Sequence, residues 1–211
     1  MAYKVLNNVS VKDVTSSDLL SLKTDLLVIV INKNTKDKVV NQLAKDVSSH
    51  LKESGSSVLV PNAKSFNAKN VLLVKGFQDS DQIHKLISMY QSIAQKGNQL
   101  KAKDISIMPG TVYPKGKCEM WLIEMVAKTI ESNVYIFSET CNKTAKKPSV
   151  KKLNILVSSL TKSDLIKAKN AAKKGYAIGE GVNSAKYLGD LPANHCTCLL
   201  YTSPSPRDDP L

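Results

Sequence analysis

At 211 residues the chain holds one domain, with room for a small second one, and its apolar fraction of 42% supports a buried core. The formal charge is +12, but every basic residue before Arg207 is Lys. Bidentate reading of guanine or phosphate favours Arg, so the composition argues against sequence-specific DNA recognition and leaves weak, non-specific polyanion affinity.

Ala2 to Val9 reads as a first strand, and the polar stretch Val11 to Leu22 as a connection. Asp25-Leu-Leu-Val-Ile-Val-Ile31 is apolar without alternation, the pattern of a strand covered on both faces. Val39, Val40, Leu43, Ala44, Val47 and Leu51 recur at helical spacing up to Gly55. Ser57–Val60 and Asn70–Lys75 follow as strands. Asp79-Ser80-Asp81 opens a helix with its carboxylates where the dipole favours them, and Gly97 is its expected stop. Asp104–Met108 reads as a strand, Lys117–Ile130 as a helix and Asn133–Phe137 as a strand. Ser138 to Lys152 is a basic loop whose Lys143, Lys146, Lys147, Lys151 and Lys152 form a candidate polyanion contact. Leu153–Val157 is the last strand. Thr161-Lys-Ser-Asp164 is a capping-box pattern, and a helix runs from there to about Tyr187. Strands alternating with helices predict a mostly parallel mixed sheet with helices on both faces, followed by one long helix.

That last helix sets Leu165, Ala168, Ala172, Gly175, Gly179, Val182 and Ala185 on one face. Glycine inside a helix costs roughly 1 kcal/mol against Ala, so this face predicts close approach of another backbone. The glycines do not follow G-x-G-x-x-G, and no strand immediately precedes them, which argues against a nucleotide loop.

The four cysteines, Cys118, Cys141, Cys196 and Cys198, fit neither a disulfide framework nor paired zinc ligands. His50, His84 and His195 fall in separate elements. No window reaches the ~18 apolar residues of a spanning helix, and no secretory signal opens the chain. The expected compartment is the cytoplasm, with no membrane partner. Residues 198–211 hold the chain's single Arg, three prolines and no Lys, and this abrupt shift reads as a non-native tail. The expected division is an α/β domain over 1–160, an interdomain helix and exit segment over 161–197, and that tail.

The exit segment Ala185-Lys-Tyr-Leu-Gly-Asp-Leu-Pro-Ala-Asn-His-Cys-Thr197 resembles the interdomain segment of the leucyl (cytosol) aminopeptidase family, A-R-x-L-x-N-x-P-x-N-x-x-T-P. Ala185, Leu188, Pro192, Asn194 and Thr197 match. Lys186 stands where Arg is usual, Asp190 where Asn is usual, and Cys198 where Pro is usual. Tyr135-Ile-Phe137 with Lys143 and Lys147 resembles the family's Y-x-F-x-x-x-K stretch. Val71-Leu-Leu-Val-Lys-Gly76 resembles its strand before a glycine turn.

The resemblance implies a macro-domain-like N-terminal domain joined by a long helix to a larger catalytic domain absent from this chain. It implies two divalent ions, Zn or Mn, in that second domain, release of N-terminal amino acids from peptides, and a homo-hexamer for the full-length member. The family's catalytic and metal-binding motifs lie beyond the point of divergence, so no catalytic or metal residue is assigned here. Two other readings stand beside it. One is a Lys-rich module binding DNA weakly or a nucleotide such as ADP-ribose. The other is a regulatory or assembly domain without a ligand.

Overall fold

A computed structural model describes residues 5–31, 56–63, 65–76, 83–110, 114, 116–138, 147–158 and 160–192. In these residues the order is β1 (Asn8–Asp13), α1 (Ser16–Ser21), β2 (Leu26–Ile31), β3 (Ser57–Pro61), β4 (Asn70–Lys75), α2 (Ile83–Gln99), β5 (Asp104–Met108), α3 (Glu119–Val134), β6 (Lys152–Val157) and α4 (Lys162–Asp190). The expected helix from Val39 to Leu51, the helix start at Asp79–Asp81, residues 193–197 and the tail lie outside the described residues.

The strands form one sheet in the order β1-β6-β5-β2-β4-β3. Every pairing is parallel except β3 with β4. Successive side chains on a strand point to opposite faces, so the unbroken apolar run of β2 feeds two cores. Leu26, Val28 and Val30 join Leu72, Ile105, Ile107, Leu153 and Ile155 beneath α2, α3 and α4. Leu27 and Ile29 join Val71 and Leu73 on the other face, under Leu19 of α1 and under Ala63, Phe66 and Ala68. Each such side chain, fully buried, contributes roughly 1.5–3 kcal/mol.

On the second face the apolar surface gives way to a polar row across neighbouring strands. Ser10 Oγ donates to Asn154 Oδ1 at 2.8 Å, Asn154 Nδ2 donates to Ser106 Oγ at 3.1 Å, and Ser106 Oγ donates to Thr24 Oγ1 at 3.1 Å. Ser106 is fully buried, and this chain of partners keeps its hydroxyl satisfied there.

Several sequence expectations shift. Among the described residues the first strand is Asn8–Asp13, which shares only Asn8 and Val9 with the expected Ala2–Val9, because Val5 and Leu6 are buried against α3 and not paired in the sheet. The expected connection from Val11 to Leu22 contains the end of β1 and all of α1. Thr15 and Asp18 cap that helix reciprocally, a T-x-x-D capping box. Gly97 does not stop α2, which continues to Gln99. It packs on β5, where a Cβ would sit 2.5 Å from Ile105 Cδ1. Asn133–Phe137 is not a strand: Val134 ends α3 in the core, and 135–138 continue outside any strand. The expected loop from Ser138 to Lys152 overlaps β6, whose first residue is Lys152.

Thr161 caps α4, accepting from Asp164 N at 3.2 Å. The buried face of α4 is Ala168, Ala172, Gly175, Gly179 and Asn183. It departs from the expected stripe at the end, where Asn183 is buried, Val182 is half-buried and Ala185 is exposed. The backbone predicted to approach this face belongs to α3. A Cβ on Gly175 would lie 2.1 Å from the Glu124 carbonyl oxygen, and one on Gly179 would lie 2.7 Å from Glu131 Cβ. The glycines let the two helices pack at a distance that any side chain would prevent.

Candidate functional site

The lysines singled out in the sequence do not all fall in described residues: Lys143 and Lys146 lie outside them. Lys147, Lys151 and Lys152 are exposed. Lys152 stands in register with Asn8 and Asp104, at the end of the sheet where the parallel strands begin. Ligands of open α/β sheets gather outside the other, carboxyl end. Acidic groups also occupy the lysine end. Asp25 pairs with Lys69 and accepts from Lys103 N at 2.8 Å, while Asp104 Oδ1 accepts from Asp25 N at 3.1 Å. The Lys69 ammonium, first, holds the Asp25 carboxyl below the usual carboxylate range, so it carries charge among these lysines.

His84 sits on α2 and Cys118 is exposed just before α3, whereas His50, His195, Cys141, Cys196 and Cys198 lie outside the described residues. Among the described residues no group of three or more His, Cys, Asp or Glu side chains comes together to hold a metal ion. The described residues therefore offer no fit to the paired divalent ions that the resemblance implies.

The most densely tied polar group was not foreseen. Glu131 of α3 is completely buried. Its Oε1 accepts from Val5 N at 3.0 Å and its Oε2 from Leu6 N at 3.1 Å. Asn183 Nδ2, from α4, donates to Glu131 Oε1 at 3.0 Å and to the Glu131 carbonyl oxygen at 2.9 Å. Tyr176 Oη, also on α4, donates to Leu6 O at 2.8 Å. One carboxylate thus joins the chain's first segment, α3 and α4. Burial pushes its pKa up, the three donors pull it down, and the charge of Glu180 adds to the rise, with burial prevailing. The sequence did carry a signal. Glu131 follows Ile123 and Ala127 at intervals of four, which puts a carboxylate on the apolar stripe of α3.

A second junction fixes the end of α4. Tyr135 Oη donates to Asp190 Oδ2 at 2.9 Å. Lys186 Nζ donates to the Ser132 carbonyl oxygen and lies 5.9 Å from the centre of the Tyr135 ring. The rings of Phe137 and Tyr187 are 6.2 Å apart, within the range of favourable aromatic pairs. The two stretches that carry the resemblance, Tyr135–Phe137 and the segment from Ala185, therefore touch each other.

Sheet order and helix placement define a macro-like α/β domain. The macro domain of ganglioside induced differentiation associated protein 2 matches it with a TM-score of 0.54 at 15% identity, over 82% of this chain and 86% of that one. A mutant of tomato leucine aminopeptidase matches with a TM-score of 0.63 at 18% identity, over 92% of this chain and 40% of that one. No family model matches. The probable cytosol aminopeptidase of Vesicomyosocius okutanii subsp. Calyptogena okutanii is 30% identical over 179 residues, which cover 83% of this chain and 35% of the relative. The cytosol aminopeptidase of Pseudomonas aeruginosa is 26% identical over 191 residues, covering 83% and 37%. The chain belongs to the cytosol aminopeptidase family. It spans about a third of the length of the curated relatives it matches.

Proposed function

We propose that this chain is the N-terminal α/β domain of a cytoplasmic, metal-dependent leucyl aminopeptidase. The observation that carries the reading is the lopsided match: relatives named cytosol aminopeptidase align over 83% of this chain, which accounts for only 35% of their length. In this reading residues 1–160 form the domain, 161–197 lead out of it, and peptide chemistry belongs to polypeptide that follows. Two divalent ions, Zn or Mn, would belong to that following part, where they would supply Lewis-acid chemistry for peptide hydrolysis. The parent assembles as a homo-hexamer. The domain itself supplies a rigid wall, α3 against α4, and a fixed exit. Lys147, Lys151 and Lys152 add only a weak polyanion contact that fades with salt.

The test has two arms. The purified 211-residue chain, supplied with Mn²⁺ or Zn²⁺, should hydrolyse leucine amide no faster than buffer; metal-stimulated turnover would overturn the reading. Transcript sequence across the Thr197–Cys198 junction should continue as Thr-Pro into a domain with clustered metal ligands.

A further inference from the structure

Val5 and Leu6 are 3% and 0% exposed, yet neither joins the sheet. Their backbone groups are met by side chains instead. Both N–H groups donate to Glu131, and the Leu6 carbonyl accepts from Tyr176. Backbone pairing starts one residue later, where Asn7 N donates to Lys151 O at 2.7 Å. The segment can therefore lift without breaking a strand pairing. The second half of α4 leans on the same carboxylate through Asn183 and on the same segment through Tyr176. Its first half is held elsewhere, by the Thr161 cap and by Ala168 and Ala172 in the core.

We infer that Val5–Leu6 is a strap across the α3–α4 junction, closed while Glu131 is protonated and loosened when Glu131 is ionised, and that the second half of α4 loosens with it. Among the described residues no basic side chain pairs with Glu131. α4 presents to it Asn183, Tyr176 and Glu180, whose charge has the same sign. The strap presents two backbone N–H groups. One turn back on α3, Lys128 is exposed, and Lys186 of α4 donates to the Ser132 carbonyl oxygen instead. An ionised carboxylate there has neutral donors only, and burial away from water disfavours its charge. Lifting the strap admits water to the carboxylate and leaves the sheet intact. Tyr176 then loses the Leu6 carbonyl and water reaches the Asn183 contact, so strap and helix give way together. Burial holds the Glu131 pKa above its ordinary value, so the closed strap binds the proton more tightly than the open one. Closure is fully favoured below the ordinary value of 4.5 and is weakened as pH rises through the raised one.

The experiment is hydrogen exchange read by mass spectrometry on the 211-residue chain, from about pH 5 to about pH 8, with rates corrected for the intrinsic pH dependence of amide exchange. Protection of the peptide holding Val5–Asn7 should fall about tenfold across that window, protection over 176–185 should fall in step, and protection over 162–172 should hold steady. Glu131→Gln cannot ionise and should show no fall at either place. Glu180→Gln removes the neighbouring like charge and should show a smaller fall than the unmodified chain. Protection that does not change with pH in the unmodified chain would overturn the strap. So would protection that rises with pH, since the three donors would then prevail over burial. A fall at Val5–Asn7 with 176–185 unmoved would overturn the coupling to α4. A fall of the same size in Glu131→Gln would place the titration elsewhere and overturn the role of Glu131. Should Glu131→Gln fail to fold, Glu180→Gln decides: a profile identical to that of the unmodified chain overturns the proposal.

Discussion

α4 has two apolar sides built from the same small residues, and they behave differently. On the inner side Gly175 and Gly179 bring α4 onto α3 so closely that a methyl group would collide with backbone at one position and with Glu131 at the other. On the outer side Gly181 and Gly189 face open space. A glycine in a helix interior costs roughly 1 kcal/mol against Ala. The inner pair recovers that cost through packing within the domain. The outer pair has no such return among the described residues. The contrast teaches that a small-residue face in a sequence says that something approaches closely, not what approaches.

The largest effect expected from breaking this contrast is at Gly175. Gly175→Ala places Cβ 2.1 Å from the Glu124 carbonyl oxygen, which is helix backbone and cannot swing aside. The helices must separate, and urea unfolding followed by circular dichroism should show a loss of about 3 kcal/mol, the upper part of the overpacking range. The next tests what lies beneath the inner face. Burial raises the Glu131 pKa above its ordinary value of 4.5, so the folded state holds the proton more tightly than the unfolded chain. Its contribution is therefore fully present below the unfolded pKa and is lost as pH rises through the raised folded value. Glu131→Gln should flatten the fall in stability above pH 4.5, read as the difference between the two proteins' unfolding midpoints across that window. The smallest effect is on the outer side. Gly181→Ala in the 211-residue chain should stabilise it by about 0.8–1 kcal/mol, visible as a higher melting temperature. A loss there would mean that the outer face is already covered.

Much of the fold could be read from patterns that local geometry enforces. β2 and β4 announced themselves because strands buried on both faces leave unbroken apolar runs, and β5 because Ile105 and Ile107 alternate with Ser106. The helices α2 and α3 followed from apolar spacing. The reading failed where tertiary contact overrode local preference. Asn133–Phe137 has strand-like residues, but Val134 is fully buried at the end of α3, and Tyr135 and Phe137 are engaged with the end of α4. Val5 and Leu6 look like strand residues, yet a carboxylate 125 and more positions away takes their N–H groups. Glu131 was legible only as a misplaced charge on an apolar stripe; its partners lie on two distant segments that no spacing connects. The lysine contact illustrates the opposite limit. Composition found the residues, but only the sheet register locates Lys152 beside Asp104 at the strands' amino end.

The pairing of the first strand with the last has a consequence for how the chain is made. Ser10 and Asn154, bonded across β1 and β6, are 144 residues apart in sequence. At about 5–20 residues per second, a ribosome needs roughly 7–30 s to add that stretch. Throughout that time β1 has no strand to pair with, and the segment at Val5 and Leu6 lacks Tyr176 and Asn183. The beginning of this chain can therefore reach its native partners only once β6 and α4 have been synthesised.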